Sequence, residues 1–120
     1  MNQKILVVED EVLVRFDMCD HLRAEHFQVL EASTVQVAKE LLRENPDVVL
    51  VFTDVQLPGL QDGLDLALHV RTNFPEVKIL VTSGHLAPRK LEENYGRLID
   101  KPYLPEDVVK QIRAALTKPF

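Results

Sequence analysis

Apolar residues gather in short continuous runs rich in β-branched side chains at Ile5–Val8, Val48–Phe52 and Ile79–Thr82. Runs of this length and composition are the pattern of strands buried on both faces. Two weaker runs, Gln28–Glu31 and Leu98–Ile99, stand where they would complete a five-stranded sheet. Between the runs the apolar spacing changes to that of a helix, at Val12, Phe16, Cys19 and Leu22, at Ala38, Leu41 and Leu42, and at Leu64, Ala67, Leu68 and Phe74. Val108, Val109, Ile112 and Leu116 predict a last helix. Pro105 suits its first position, Glu106 and Asp107 face its positive dipole end, and it should run to about Thr117. The segment from Leu86 to Gly96, with Pro88 as a start and Gly96 as a stop, has room for a short or irregular fourth helix. Strands alternating with helices predict an α/β fold, a doubly wound five-stranded parallel sheet with right-handed crossovers and helices on both faces.

At 120 residues and 46% hydrophobic, the chain supports one packed core, so residues 1–120 are expected to form a single domain. A net charge of −5 and a pI near 5.3 argue against direct nucleic-acid binding, which needs clustered Lys and Arg. Cys19 is the lone cysteine and cannot form an internal disulfide, so nothing suggests a secreted scaffold or a thiolate metal site, and a cytoplasmic location is expected. The apolar run at Ile5–Val8 stops at Glu9, Asp10 and Glu11, which rules out a signal-peptide core. No other apolar stretch is long enough to span a bilayer, and no membrane partner is expected.

Ligands of such folds bind at the carboxyl ends of the strands, and that rule selects residues. Glu9, Asp10 and Glu11 follow the first strand, Asp54 the third, Ser83 the fourth and Lys101 the fifth. Each has a plain explanation alone: acids favour a helix start, and a loop carboxylate, hydroxyl or lysine is ordinary. Three or four carboxylates converging on one sheet edge, however, repel one another and call for a cation. Oxygen ligands without nearby His or Cys favour Mg2+. The loop after the first strand lacks the glycines of a dinucleotide cradle, so this edge reads as a metal site.

These residues and their surroundings, Val7-Val8-Glu9-Asp10-Glu11, Asp54 followed by Leu57-Pro58-Gly59 and Asp62-Gly63, Ser83-Gly84, and Lys101-Pro102, resemble the receiver domain of bacterial two-component response regulators. The resemblance covers essentially the whole chain and implies a flavodoxin-like receiver fold. It implies a phosphorylation-dependent signalling switch, not an enzyme with outside substrates. Asp54 would be the phosphoacceptor, and Asp10, Asp54 and the Gln56 backbone carbonyl would ligate Mg2+, with Glu9 acting through a metal-bound water. An ionised carboxylate is a competent nucleophile toward a phosphohistidine, and Mg2+ and Lys101 would neutralise the transferring oxygens. Ser83 would then hydrogen-bond the aspartyl phosphate and draw the loop after the fourth strand with it. The implied partners are a sensor histidine kinase or a histidine phosphotransfer protein and an unidentified downstream protein target.

Three departures from the family pattern stand out. The loop Pro58-Gly59-Leu60-Gln61-Asp62-Gly63 is one residue longer than usual, which leaves Thr82 as a rival to Ser83 for the hydroxyl role. Ser83 is preferred because it precedes the small residue Gly84. The segment between Ser83 and Lys101 is short, and the position three before Lys101, where many members carry a switching aromatic, is Leu98. A haloacid-dehalogenase-like phosphatase would carry a second aspartate two residues after its nucleophile, where this chain has Gln56. A receiver-like module that is never phosphorylated fits poorly with intact acids, hydroxyl and lysine. His21, His26 and His69 are expected to face solvent and Cys19 to pack, while His85, two residues after Ser83, stands evenly between lining the site and being a plain loop residue.

Overall fold

Residues 2–84 and 97–117 are described by the computed structural model, so the expectations for His85 and for a helix between Leu86 and Gly96 lie outside the described residues. The chain runs β1 Lys4–Val8, α1 Val12–Ala24, β2 Gln28–Ala32, α2 Val35–Glu44, β3 Val48–Asp54, α3 Gly63–Asn73, β4 Lys78–Ser83, β5 Arg97–Asp100 and a C-terminal helix, α4, Pro105–Thr117. All strands pair in parallel in the order β2-β1-β3-β4-β5, as the strand–helix alternation predicts. The strands reach one or two residues beyond their apolar runs. Lys4, Asp54, Arg97 and Asp100 join the ladder through backbone groups, which hydropathy does not register.

Alternation along the strands divides the interior in two. Leu6, Val51, Val81 and Leu98 face α2 and α3, meeting Ala38, Leu42, Leu66 and Val70. Ile5, Val7, Leu50, Phe52 and Leu80 face α1 and α4, meeting Met18, Cys19, Leu22, Val108 and Ile112. Two predicted helix faces are corrected. In α1 the buried residues are Met18, Cys19 and Leu22, while Val12 and Phe16 are about half exposed. In α3 the buried set is Gly63, Leu66, Ala67 and Val70, and Leu68 turns outward. Both helices carry more apolar residues than the sheet can cover, so spacing alone admitted a neighbouring stripe.

Helix α3 is fixed where it leaves the β3 edge. Asp62 caps it, accepting from the Leu64 and Asp65 amides at 2.9 and 3.1 Å, and the Asp65 carboxylate accepts from the Asp62 amide in return. In the loop ahead of this cap Gly59 has a φ of +101°, in the region that favours glycine.

Candidate functional site

β1 and β3 lie side by side in the sheet interior, so their carboxyl ends bring Glu9, Asp10 and Asp54 together. Carboxylate oxygens from the three lie within 4.8 Å of one another. Glu9 and Asp54 are buried and Asp10 is exposed. Glu11 is not part of this group; its amide instead donates to Glu9 Oε2 at 3.0 Å, which orients the Glu9 carboxylate. Arg15 supports the same loop from α1, its Nη1 donating to the Glu9 carbonyl at 2.9 Å while its Nε pairs with Glu31 at 3.1 Å. Nothing in the sequence pattern singled out Arg15, since an arginine on a helix is normally a solvated one.

Lys101 enters from the far side. Its ammonium donates to Asp54 Oδ2 at 2.7 Å and lies 3.9 Å from Glu9 Oε1. The other oxygen, Oδ1, accepts from the Gln56 amide at 3.2 Å. The Lys101 amide donates to the Ser83 carbonyl at 2.8 Å, and the Lys101–Pro102 peptide is cis. Burial opposes the Lys101 charge, but the Asp54 hydrogen bond and the charges of Asp54, Glu9 and Glu11 outweigh it and raise its pKa. Burial also pushes the Glu9 carboxyl up to about 7, opposed by the Glu11 amide and reinforced by the Asp54 charge. Tyr103, edge-on to Phe52 beneath the site at 5.7 Å between ring centroids, is pushed up to about 12 by burial and then by the charges of Glu9 and Asp54.

Of the two hydroxyls after Val81, Thr82 is the register partner of Asp54 and shares its sheet face, whereas Ser83 points to the α2–α3 side at the strand's end. Both are buried. Leu98 is buried on that second side, so no aromatic ring stands there to rotate. Beside the site an open cleft of about 620 Å³ runs between the start of α1 and the turn after β5, lined in part by Glu11, Asp17, Lys101 and Tyr103. Cys19 is fully buried and its thiol is pushed up to about 12, chiefly by burial, so it acts as packing. His26 is exposed, while His21 and His69 are partly covered.

The donor set suits a hard divalent cation: all oxygen, with two buried carboxylates and one at the surface. Without a cation, a buried Glu9 is ionised against its preference above its raised pKa. The metal-free protein should therefore be most stable below about pH 4.5 as far as Glu9 is concerned, and lose on the order of 3 kcal/mol as pH rises through about 7. Thermal melts in chelator across that interval should fall more steeply for the parent than for Glu9→Gln. Parallel slopes would show that Glu9 is not held against ionisation.

Comparison with known proteins agrees with this fold. The response regulator receiver domain family matches residues 5–113. The transcriptional regulatory protein SrrA of Staphylococcus aureus is 31% identical over 98% of this chain and 49% of its own length, so the chain spans about half the length of the curated relatives it matches. A response regulator receiver domain protein from Clostridium thermocellum superposes with a TM-score of 0.85 at 25% identity, covering 94% of this chain and 93% of that one. A CheY-like receiver domain protein from Methanospirillum hungatei gives 0.87 at 24% identity, covering 97% and 94%, and supports the fold. No helix among the described residues is long and apolar enough to cross a membrane. With the family matched over residues 5–113, the protein belongs to the response regulator receiver domain family.

Proposed function

We propose that residues 1–120 form one receiver unit in which Asp54 accepts a phosphoryl group and so switches the surface of the domain. The observation that carries this is the setting of the Asp54 carboxylate: buried at the end of β3, held between the Gln56 amide and the Lys101 ammonium, with two further acids within reach. An Asp54 oxygen attacks the phosphorus of a phosphohistidine, the P–N bond breaks, and the imidazole nitrogen takes the electron pair and then a proton. Glu9, Asp10, Asp54 and the Gln56 carbonyl would hold Mg2+, which offsets charge on the transferring oxygens. Lys101 follows those oxygens, and Ser83 supplies a hydroxyl to them.

The donor is a sensor histidine kinase or a histidine phosphotransfer protein, met in the cytoplasm. Val12, Leu13, Phe16 and Leu104 are exposed and apolar near the cleft, and they offer such a protein a surface to dock on. Output passes to a downstream protein, and the chain acts chemically only on itself.

Incubation with acetyl phosphate and Mg2+ should add one phosphoryl group per chain, in a linkage labile to base. Chelation should prevent labelling. Continuous release of phosphate from outside phosphomonoesters would favour an enzyme, and absence of labelling at any donor concentration would sink the proposal.

A further inference from the structure

Among the described residues, Thr82 Oγ1 is a buried side-chain atom with no hydrogen-bond partner. Leaving a buried hydroxyl unpaired is costly, and such groups need an explanation. Thr82 is 1% exposed, so bulk water does not satisfy it.

Its place in the sheet supplies the explanation. β4 lies between β3 and β5, and Thr82 is in register with Asp54 on one side and Ile99 on the other. Lys101, two residues past Ile99, reaches Asp54 Oδ2 at 2.7 Å, so its side chain passes the carboxyl end of β4, where Thr82 lies. Both Asp54 oxygens already have donors, Lys101 at Oδ2 and the Gln56 amide at Oδ1. In this state Thr82 Oγ1 makes no hydrogen bond to either of them.

We infer that Thr82 is a second hydroxyl of the site, which donates to the Asp54 carboxyl oxygen that Lys101 leaves when Asp54 is phosphorylated, and which hastens hydrolysis of the aspartyl phosphate. The inference rests on Asp54 being the phosphoacceptor. Once Lys101 follows the phosphoryl oxygens, the oxygen it held loses its donor, and Thr82, the register partner of Asp54 on the same sheet face, supplies one. Hydrolysis forms a bond from water oxygen to phosphorus and breaks the bond from phosphorus to Asp54. The electron pair returns to the Asp54 carboxylate, inorganic phosphate departs, and the water protons pass to phosphate and solvent. Negative charge grows on the carboxyl as it leaves, so a donor there is worth more in the transition state than in the acyl phosphate. Ser83, on the opposite sheet face, is a separate hydroxyl with a separate role.

The test is the decay of the phosphoprotein after labelling with acetyl phosphate and Mg2+ and removal of the donor. Thr82→Val keeps the shape and removes the hydroxyl; its phosphoryl group should last about tenfold longer, the effect of one hydrogen bond to a developing charge. It should be at least as stable as the parent, because the unpaired hydroxyl is gone. Thr82→Ser, which packs less well but keeps the hydroxyl, should return the decay to the parent rate, an outcome that packing alone does not produce. Thr82→Ala serves as the hydroxyl-free variant if Thr82→Val fails to fold. Parent-like decay in the hydroxyl-free variant, or slow decay in Thr82→Ser, overturns the inference while leaving phosphorylation of Asp54 standing. A parent chain that takes no label overturns both.

Discussion

Asp54→Asn is expected to fold like the parent and to take no phosphoryl label at a donor concentration that saturates the parent. The two side chains have the same shape, and the Asn carbonyl still accepts from the Gln56 amide, which now donates to Oδ1 at 3.2 Å. An amide has no anionic oxygen to attack phosphorus, so chemistry is lost without loss of packing. The Lys101 ammonium loses its 2.7 Å partner and keeps Glu9, now 3.9 Å away. Intact-mass measurement after incubation with acetyl phosphate checks the result. One phosphoryl group per chain surviving in the variant would move the acceptor elsewhere.

Gly63→Ala is expected to destabilise the fold by about 3 kcal/mol or more and to weaken labelling with it. A Cβ on Gly63 would overlap the Asp54 carbonyl oxygen and stand 2.7 Å from the Asp54 carbonyl carbon and 2.9 Å from Val55 Cα. These are backbone atoms and do not rotate away. The Gly63 amide also donates to the Val55 carbonyl at 2.7 Å, which ties the first turn of α3 to the exit of β3. Relief therefore requires moving the helix or the strand end that carries Asp54. Denaturant melts measure the cost. Parent-like stability in Gly63→Ala would mean that α3 starts farther from β3 than the structure places it. Gly84 makes the contrast, since a Cβ there meets nothing within 4 Å among the described residues.

The sequence was legible where one physical cause dominated. β1, β3 and β4 are buried on both sides, and their apolar runs mark them to within two residues. Strand ends then located Glu9, Asp10, Asp54 and Lys101 together, because a parallel sheet presents every carboxyl end at one edge. The faces of α1 and α3 were less legible, since Val12, Phe16 and Leu68 are apolar yet exposed. Hydropathy ranks side chains without knowing which neighbour a helix meets. Electrostatic detail was hidden for a different reason. Glu11 stands beside Asp10 in sequence, but only folding shows that its amide holds the Glu9 carboxylate while its own carboxylate stays out of the three-acid cluster. The difference between Thr82 and Ser83 is likewise one of sheet face, which depends on register and not on residue type.

The order β2-β1-β3-β4-β5 places the parts of the site on strands of unequal security. β1 and β3 each pair on both sides, so their amides exchange with solvent only when the sheet as a whole opens. β5 has four residues and, among the described residues, pairs on one side only. Its hydrogen bonds break in smaller and more frequent excursions. Asp54 and Glu9 therefore ride on the slowest-exchanging part of the molecule, whereas Lys101 hangs from its fraying edge. The anionic half of the site persists through motions that carry its cationic half away and back.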